Sequence, residues 1–279
     1  MTRWLIPVLA LALLAAGCAR TRPFDVPVLG ERLPPELTTA VEVTNWNGSV
    51  RVEANPRLEA PEVSARVRRL VRGGPKGAEL KQSAIIRAIA SFDDGRRILR
   101  VTTAPASPER ESDVAVVLVV SVPRSENVVV RNAGGSVELV GVGGAIDVEN
   151  GMAGVRGGDV VVRTGQPLTA PVSLASPQGL VHFQAGPGSS GLFDIASDSG
   201  AAEFVSKVGN VRDAKPEPGH FRAVLNDGSN PVILRAGKGT ARAWVIPNAD
   251  KIGPEVWDGW PGDPFPEPKM KTLPTGSVP

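Results

Sequence analysis

Residues 135–148 read GSVELVGVGGAIDV, and their pattern is the main basis for predicting the fold. It contains one unit twice: a glycine, any residue, and then an apolar, a polar and an apolar residue. The two leading glycines, Gly135 and Gly144, are nine residues apart. Alternation of apolar and polar residues is typical of a β-strand with one buried face. Since glycine tolerates the positive φ of a tight corner, each unit predicts a short strand entered through a corner.

The same unit recurs along the second half of the chain, and periodic short strands of this kind are typical of a β-solenoid. With about five residues per strand plus a corner, one coil would hold two strands and about 18 residues. We therefore predict an all-β, β-solenoid-like fold. The alternative is a β-sandwich, because sandwiches also have turns every 8 to 12 residues or so. The leading glycines are Gly135, Gly144, Gly158, Gly179, Gly191 and Gly200, with weaker copies at Gly209 and Gly239 and an earlier one at Gly48.

The N-terminus has the features of an export signal for a lipoprotein. Arg3 provides the positive charge, and the apolar run that follows is too short to span a bilayer. The junction Leu14-Ala15-Ala16-Gly17-Cys18 resembles the lipobox of bacterial lipoproteins. That resemblance implies cleavage before Cys18 and attachment of acyl chains, including palmitate, to this cysteine. The partner implied is the membrane, and Ala19 in the next position favours the outer membrane.

The chain divides into five predicted segments, each with its own composition. Prolines without periodicity indicate a linker after Cys18, alternating apolar residues indicate antiparallel strands, and the glycine units follow. We expect the Pro-rich tail, with Trp257, Trp260 and Phe265, to cap the end of the solenoid or to bind a partner. The segments are the signal peptide 1–17, the lipidated cysteine and linker 18–39, the antiparallel part 40–122, the solenoid repeats 123–246 and the tail 247–279.

Composition excludes several classes of function. The formal net charge is only +2, which argues against a nucleic-acid partner. Aromatic residues make up 4% of the chain and there is no tyrosine, which argues against a large aromatic pocket. Cys18 is the single cysteine, so the protein has no internal disulfide.

Residues 120–151 carry a family resemblance. A strand ending in Val122-Pro123 is followed by repeated Gly-x-Val-x-Val strands, and the hairpin around Asp93-Asp94-Gly95 precedes them. This arrangement resembles the bacterial family of putative adhesins, over roughly residues 40–246. The resemblance implies a β-solenoid-like fold in an envelope protein and brings no catalytic residues with it.

The outward positions, three residues after each glycine, are the candidates for chemistry. Residues nine apart, such as Glu138 and Asp147, are expected on opposite sheets, whereas residues 18 apart should stack and place Asp194 beside Arg212. His182 and His220 are the only histidines, too few for a dedicated cluster. We assign no catalytic, cofactor-binding or metal-binding residue. The outward residues are Arg51, Glu138, Asp147, Val161, His182, Asp194, Glu203, Arg212 and Arg242.

The sequence therefore predicts a noncatalytic envelope lipoprotein that serves as a binding, adhesion or scaffold module for a glycan or an envelope protein. The alternative is a carbohydrate-active β-helix enzyme, a polysaccharide hydrolase or lyase. That function requires clustered carboxylates, so it predicts Glu138, Asp147 or Asp159 together in one cleft. A third possibility is an accessory subunit held in an envelope complex by its Pro-rich tail.

Overall fold

The structure is a computed structural model that describes residues 22–31, 37–71, 74–93, 95–151 and 157–251. These residues form β-strands joined by turns and loops, with one short α-helix, α1 (Gly77–Gln82), and one 3-10 helix (Pro108–Arg110). The all-β prediction is confirmed. The strands are β1 (Phe24–Asp25), β2 (Val28–Gly30), β3 (Thr39–Asn45), β4 (Val50–Ala54), β5 (Glu62–Arg69), β6 (Ala84–Asp93), β7 (Arg96–Pro105), β8 (Val114–Val122), β9 (Ser125–Asn132), β10 (Gly135–Val140), β11 (Gly143–Asn150), β12 (Gly157–Arg163), β13 (Val172–Ser176), β14 (Val181–Ala185), β15 (Gly191–Ser197), β16 (Ala202–Ser206), β17 (Val211–Glu217), β18 (His220–Leu225), β19 (Pro231–Ala236) and β20 (Ala241–Val245).

The strands form two large mixed sheets. The nine-stranded sheet has the order β1-β5-β8-β4-β10-β12-β14-β20-β16, and the eleven-stranded sheet has the order β17-β18-β15-β19-β13-β11-β9-β3-β7-β6-β2. Successive strands change sheet at the glycine corners, as β9 and β10 do. A two-strand unit therefore contributes one strand to each sheet. The units lie in the order β7/β8, β3/β4, β9/β10, β11/β12, β13/β14, β19/β20 and β15/β16.

Neighbouring units pair in parallel, but they do not stack in the order of the chain. The unit β3/β4 lies between β7/β8 and β9/β10, and the unit β19/β20 lies between β13/β14 and β15/β16. The prediction that successive coils stack 18 residues apart holds for β9 and β11, where Val130 pairs with Val148. It fails for β10 and β12, where Glu138 pairs with Val161. The prediction fails there because the loops between units differ in length, so the paired strands are not separated by a constant number of residues.

The predicted segments also differ from the sheets. Residues 40–122 contain the antiparallel pairs β5–β8 and β6–β7, but β3 and β4 of the same segment pair in parallel with β9 and β10. Both sheets thus continue across residue 122. The predicted linker contains β1, paired with β5, and β2, paired with β6. Strands of two and three residues are too short to show a period in the sequence.

The core lies between the two sheets, where the apolar residues of each unit face one another. The polar residue between them points away from the core, so each sheet has one inner and one outer face. Val, Leu and Ile dominate, because branched side chains pack well on a pleated surface. Fully buried core residues include Val52, Leu139, Val162 and Phe183 from one sheet and Leu99, Val130, Val148, Leu174 and Leu234 from the other.

A column of buried asparagines lines the corners where the chain passes from the larger sheet to the smaller one. Asn45 Nδ2 donates to Asn132 Oδ1 at 2.9 Å, and Asn132 Nδ2 donates to Asn150 Oδ1 at 2.8 Å. The corner after Asn132 needs Gly135, which has φ +77° and whose added Cβ would lie 2.5 Å from the backbone of Gly48. The asparagine amides donate to backbone carbonyls at these corners, such as those of Gly48 and Gly158, and so help to satisfy buried backbone acceptors.

Candidate functional site

The structure confirms that outward acidic residues nine positions apart lie on opposite sheets. Glu138 lies in β10 of the nine-stranded sheet and Asp147 in β11 of the eleven-stranded sheet, nine residues away. Asp194 and Glu203 divide between the two sheets in the same way. The outer faces of the two sheets are therefore two separate surfaces, and each is a candidate for function.

We call the outer side of the nine-stranded sheet the buried face, because Glu138, Val161, His182 and Gln184 at its centre are buried, whereas Glu203 and Val205 at its edge remain exposed. Strand register aligns its outward residues in two rows, each running across successive strands. The first row is Arg51, Glu138, Val161, His182, Arg242 and Glu203, and the second is Glu53, Val140, Arg163, Gln184, Trp244 and Val205.

Glu138 is the centre of an ion-pair network on the buried face. Its side chain has no solvent-exposed surface, although its position in the strand points it away from the core. Its carboxylate pairs with Arg163 at 2.5 Å and with Arg51 at 3.4 Å. Arg51 also contacts Glu53 at 3.1 Å. A buried carboxylate needs such partners, because removing a charge from water without them costs several kcal/mol or more.

Three further polar side chains lie beside this network. His182 and Gln184 are fully buried, and neither ring nitrogen of His182 nor either amide atom of Gln184 has a hydrogen-bond partner. The indole nitrogen of Trp244 is also unpartnered, and its ring meets that of His182 edge-on at 5.0 Å. Burial, together with the charges of Arg242 and Arg163, lowers the pKa of His182 to about 3. His182 is therefore neutral at physiological pH.

We call the outer side of the eleven-stranded sheet the open face. It carries charged side chains that remain partly exposed, in clusters spaced along the stack. Arg131 pairs with Asp147 and with Glu149, whose carboxylate lies 3.3 Å from Arg131 Nε. Nearer one end, Arg100 Nε donates to Glu42 at 2.7 Å. The exposed fractions of the Asp147 and Arg131 side chains are 43% and 30%.

The largest cluster on the open face surrounds Asp194 in β15. His220 Nε2 and Arg235 each lie 2.9 Å from Asp194 Oδ1, and Arg222 Nε lies 3.5 Å from Oδ2. Burial opposes ionisation of Asp194. The hydrogen bond to His220 and the charges of Arg235 and Arg222 outweigh that effect, so the pKa of Asp194 is lowered.

The predicted pairing of Asp194 with Arg212 is wrong. Arg212 pairs with Asp227 across the β17–β18 region instead. The reason is topological: the strands next to β15 are β18 and β19, while β17 lies one strand further out. The antiparallel hairpin β17–β18 thus lies beside β15, where a regular solenoid would have its next coil.

The carboxylates proposed for an enzyme do not meet in one cleft. Glu138 is enclosed by arginines on the buried face, Asp147 pairs with Arg131 on the open face, and Asp159 accepts a hydrogen bond from the backbone N–H of Leu180 at 2.8 Å. An open cleft of about 450 Å³ lies beside Phe92, and Glu126 is the one acid among its described lining residues. Within the described part of the chain, no three His, Cys, Asp or Glu residues are grouped to hold a metal ion.

The sequence analysis did not identify three outward residues of the buried face, namely Arg163, Gln184 and Trp244. They are the second outward residue of their strands, two positions after Val161, His182 and Arg242. Continuing the alternation of inward and outward residues to the next outward position of each strand would have identified them. The asparagine column has a signal too, since an Asn or Ser precedes the corner glycine by three residues at Asn45, Asn132, Ser176 and Ser197.

The predicted lipid attachment site, Cys18, lies outside the described residues, as do the signal peptide and the three tail aromatics. Over the described ranges, none of the helices is long and apolar enough to cross a membrane. The lipid anchor is therefore a prediction from the sequence alone.

Comparison with solved structures finds distant matches at very low sequence identity. A crystal structure of a putative cell adhesion protein from Clostridium sporogenes ATCC 15579 is 9% identical, with a TM-score of 0.46 over 81% of this chain and 99% of that one. A putative adhesin from Bacteroides fragilis NCTC 9343 is also 9% identical, with a TM-score of 0.23 over 81% of this chain and 96% of that one. The sequence matches no protein-family profile and no curated protein.

Proposed function

We propose that this chain is a noncatalytic binding module of the cell envelope, anchored to the outer membrane by acyl chains on Cys18, and that its open face binds the partner. The observation that carries the proposal is the open face itself. It is a long surface of partly exposed charged residues, and its strands are held in fixed register by parallel pairing. Rigid surfaces of this kind bind with little loss of conformational entropy.

The Asp194 cluster is the proposed centre of that surface. It places three potentially cationic groups around one carboxylate, and the side chains of Arg222 and Arg235 are 62% and 43% exposed. Arginine donates bidentate hydrogen bonds to carboxylate and phosphate groups. The cluster therefore favours a partner with acidic groups, such as an acidic glycan, over a neutral one.

A binding experiment tests this assignment. The lipid-free chain from Ala19 to Pro279 is applied to an array of acidic and neutral glycans and, separately, to an envelope extract. We expect binding to acidic ligands that weakens about tenfold or more in an Arg222→Gln/Arg235→Gln variant, since two charge-assisted hydrogen bonds are lost. The matched control is Arg131→Gln at the middle of the same face. No binding, or binding that both variants retain, overturns the proposal for this cluster.

The anchor is tested separately with Cys18→Ala in the full-length precursor. We expect loss of acyl labelling and release of the protein from the membrane fraction, because stable anchoring requires the acyl chains. Retention in the membrane with no acyl label would contradict the lipoprotein assignment and leave the binding assignment intact.

A further inference from the structure

One end of the open face carries a group of exposed apolar side chains. Leu29 in β2 pairs with Ile89 in β6, and Ile85 lies four residues earlier on the same strand. Their strand neighbours Val28 and Ala88 pack on the core, so by alternation all three side chains point outward. The exposed fractions are 62% for Leu29, 45% for Ile89 and 43% for Ile85.

Exposed apolar side chains are concentrated at this end of the molecule. Of the ten large apolar side chains that are exposed in the part of the chain that the structure describes, five lie on or beside the β6–β7 hairpin. Two of these five, Leu37 and Phe92, line the open cleft beside the hairpin. Apolar surface that is grouped in this way is typical of a site that contacts another protein or a membrane.

The position of Cys18 favours a membrane as the occupant. Only three residues, Ala19 to Thr21, separate Cys18 from Arg22, where the described structure begins. The distance from Cys18 to Arg22 can be no more than about 14 Å, even in a fully extended chain. β1 and β2, which follow, are the last strands of the two sheets at one end of the stack. Acyl chains on Cys18 would therefore hold this end of the stack close to the bilayer surface.

We infer that Leu29, Ile85 and Ile89 dock on the lipid bilayer, an assignment that rests on the acyl anchor proposed above. The anchor brings the β2 end of the open face to the membrane, and the three aliphatic side chains enter the boundary between headgroups and acyl chains. Membrane contacts of this kind gain free energy in proportion to the apolar area that they bury.

Net charge does not select the lipid. Exposed charged residues around the apolar group have both signs, with Arg87 and Arg96 against Glu31 and Asp93. The apolar side chains therefore carry the contact, and docking should not require anionic lipids.

Docking at this end leaves the proposed binding site accessible. β2 is the last strand of the eleven-stranded sheet, and β15, which contains Asp194, lies eight strand spacings away from it. Eight spacings correspond to about 38 Å along the sheet. A partner can thus reach the Asp194 cluster while the β2 end rests on the bilayer.

Fluorescence of a dye on the anchored protein tests this docking. In the acylated mature protein the Cys18 thiol is blocked, so Ile89→Cys provides a single reactive thiol for an environment-sensitive nitrobenzoxadiazole dye. In phosphatidylcholine vesicles we expect blue-shifted emission and quenching by lipids that carry a nitroxide. The matched control is Leu192→Cys, because Leu192 is also 45% exposed but lies in β15, toward the other end of the open face. We expect the control dye to emit as it does in water.

Flotation of the protein with the vesicles measures the anchor separately. A protein that floats while its dye at position 89 emits as in water, or whose two labels are quenched equally, overturns docking and leaves the anchor intact. Failure to float and to carry an acyl label removes the anchor and docking together. A blue shift that needs no vesicles and grows with protein concentration would assign the apolar group to a second copy of the chain instead.

A second comparison tests whether the apolar side chains cause docking. The dye is placed at Ile85→Cys, and Leu29→Gln/Ile89→Gln is compared with Leu192→Gln in the same vesicles. We expect the docking equilibrium, measured by nitroxide quenching, to fall at least about tenfold in the double variant, because two aliphatic side chains no longer leave water. Leu192→Gln should change nothing. All of these side chains are exposed, and circular dichroism checks that each variant is folded. Quenching of the folded double variant at the wild-type level would overturn docking through these side chains.

Discussion

Glu138 on the buried face and Asp147 on the open face hold the same place in their strands, each the polar residue between two inward apolar residues. Both pair with arginines from neighbouring strands. They differ in exposure, 0% against 43% for the side chains, and therefore in how much the surrounding water screens their charges. The comparison shows that the alternation of apolar and polar residues fixes the direction of a side chain, whereas its burial decides how strongly its charge interacts with its partners.

The two faces should differ most in how much stability is lost when these carboxylates are removed. We expect Glu138→Ala to lower the free energy of unfolding by about 3–5 kcal/mol, because it takes away the carboxylate that pairs with Arg163 and Arg51 in a buried site. Asp147→Ala, the matched change on the open face, should cost about 0–1 kcal/mol. Urea unfolding at pH 7 measures both, and equal losses would show that the buried face is not a low-dielectric surface.

The sequence predicted the direction of these residues but not their burial. The Gly-x-apolar-polar-apolar unit identified the strands β10, β11, β12 and β14 and placed Glu138 and Asp147 on different sheets. It could not show that β3/β4 and β19/β20 are inserted out of chain order, because strand pairing over long sequence separations leaves no local signal. For the same reason it gave the wrong neighbour for Asp194.

The pH dependence of stability should reveal the burial of His182. His182 has a pKa of about 3 in the folded protein and about 6.5 when unfolded, so the unfolded chain binds more protons between these values. Stability that is present above pH 6.5 is therefore lost as the pH falls toward 3, at up to about 1.4 kcal/mol per pH unit, or about 2 kcal/mol at pH 5.

His182→Leu should abolish this contribution. At pH 7.5 we expect little change or a small gain in stability, because His182 makes no hydrogen bond that leucine would lose. Urea midpoints at pH 7.5 and pH 5 for the wild type and His182→Leu would test this. The wild type should lose about 2 kcal/mol more than His182→Leu over that interval. An unchanged acid sensitivity in His182→Leu would show that other groups cause it.

The smallest effect is expected at Asp194 on the open face. Its pKa is lowered in the folded protein, so its contribution is present above the unfolded value of about 3.9 and is lost as the pH falls through the folded value. Because its side chain is 30% exposed and its partners reach into solvent, we expect Asp194→Asn to cost no more than about 1 kcal/mol at pH 7. The loss should shrink further in 1 M salt, since ions screen charges at this depth. Unfolding curves of Asp194→Asn and Glu138→Ala at low and high salt would show whether ions screen the charges of the two faces to different extents. If salt reduced the stability loss of Glu138→Ala but not that of Asp194→Asn, the assignment of which face is open to water would be reversed.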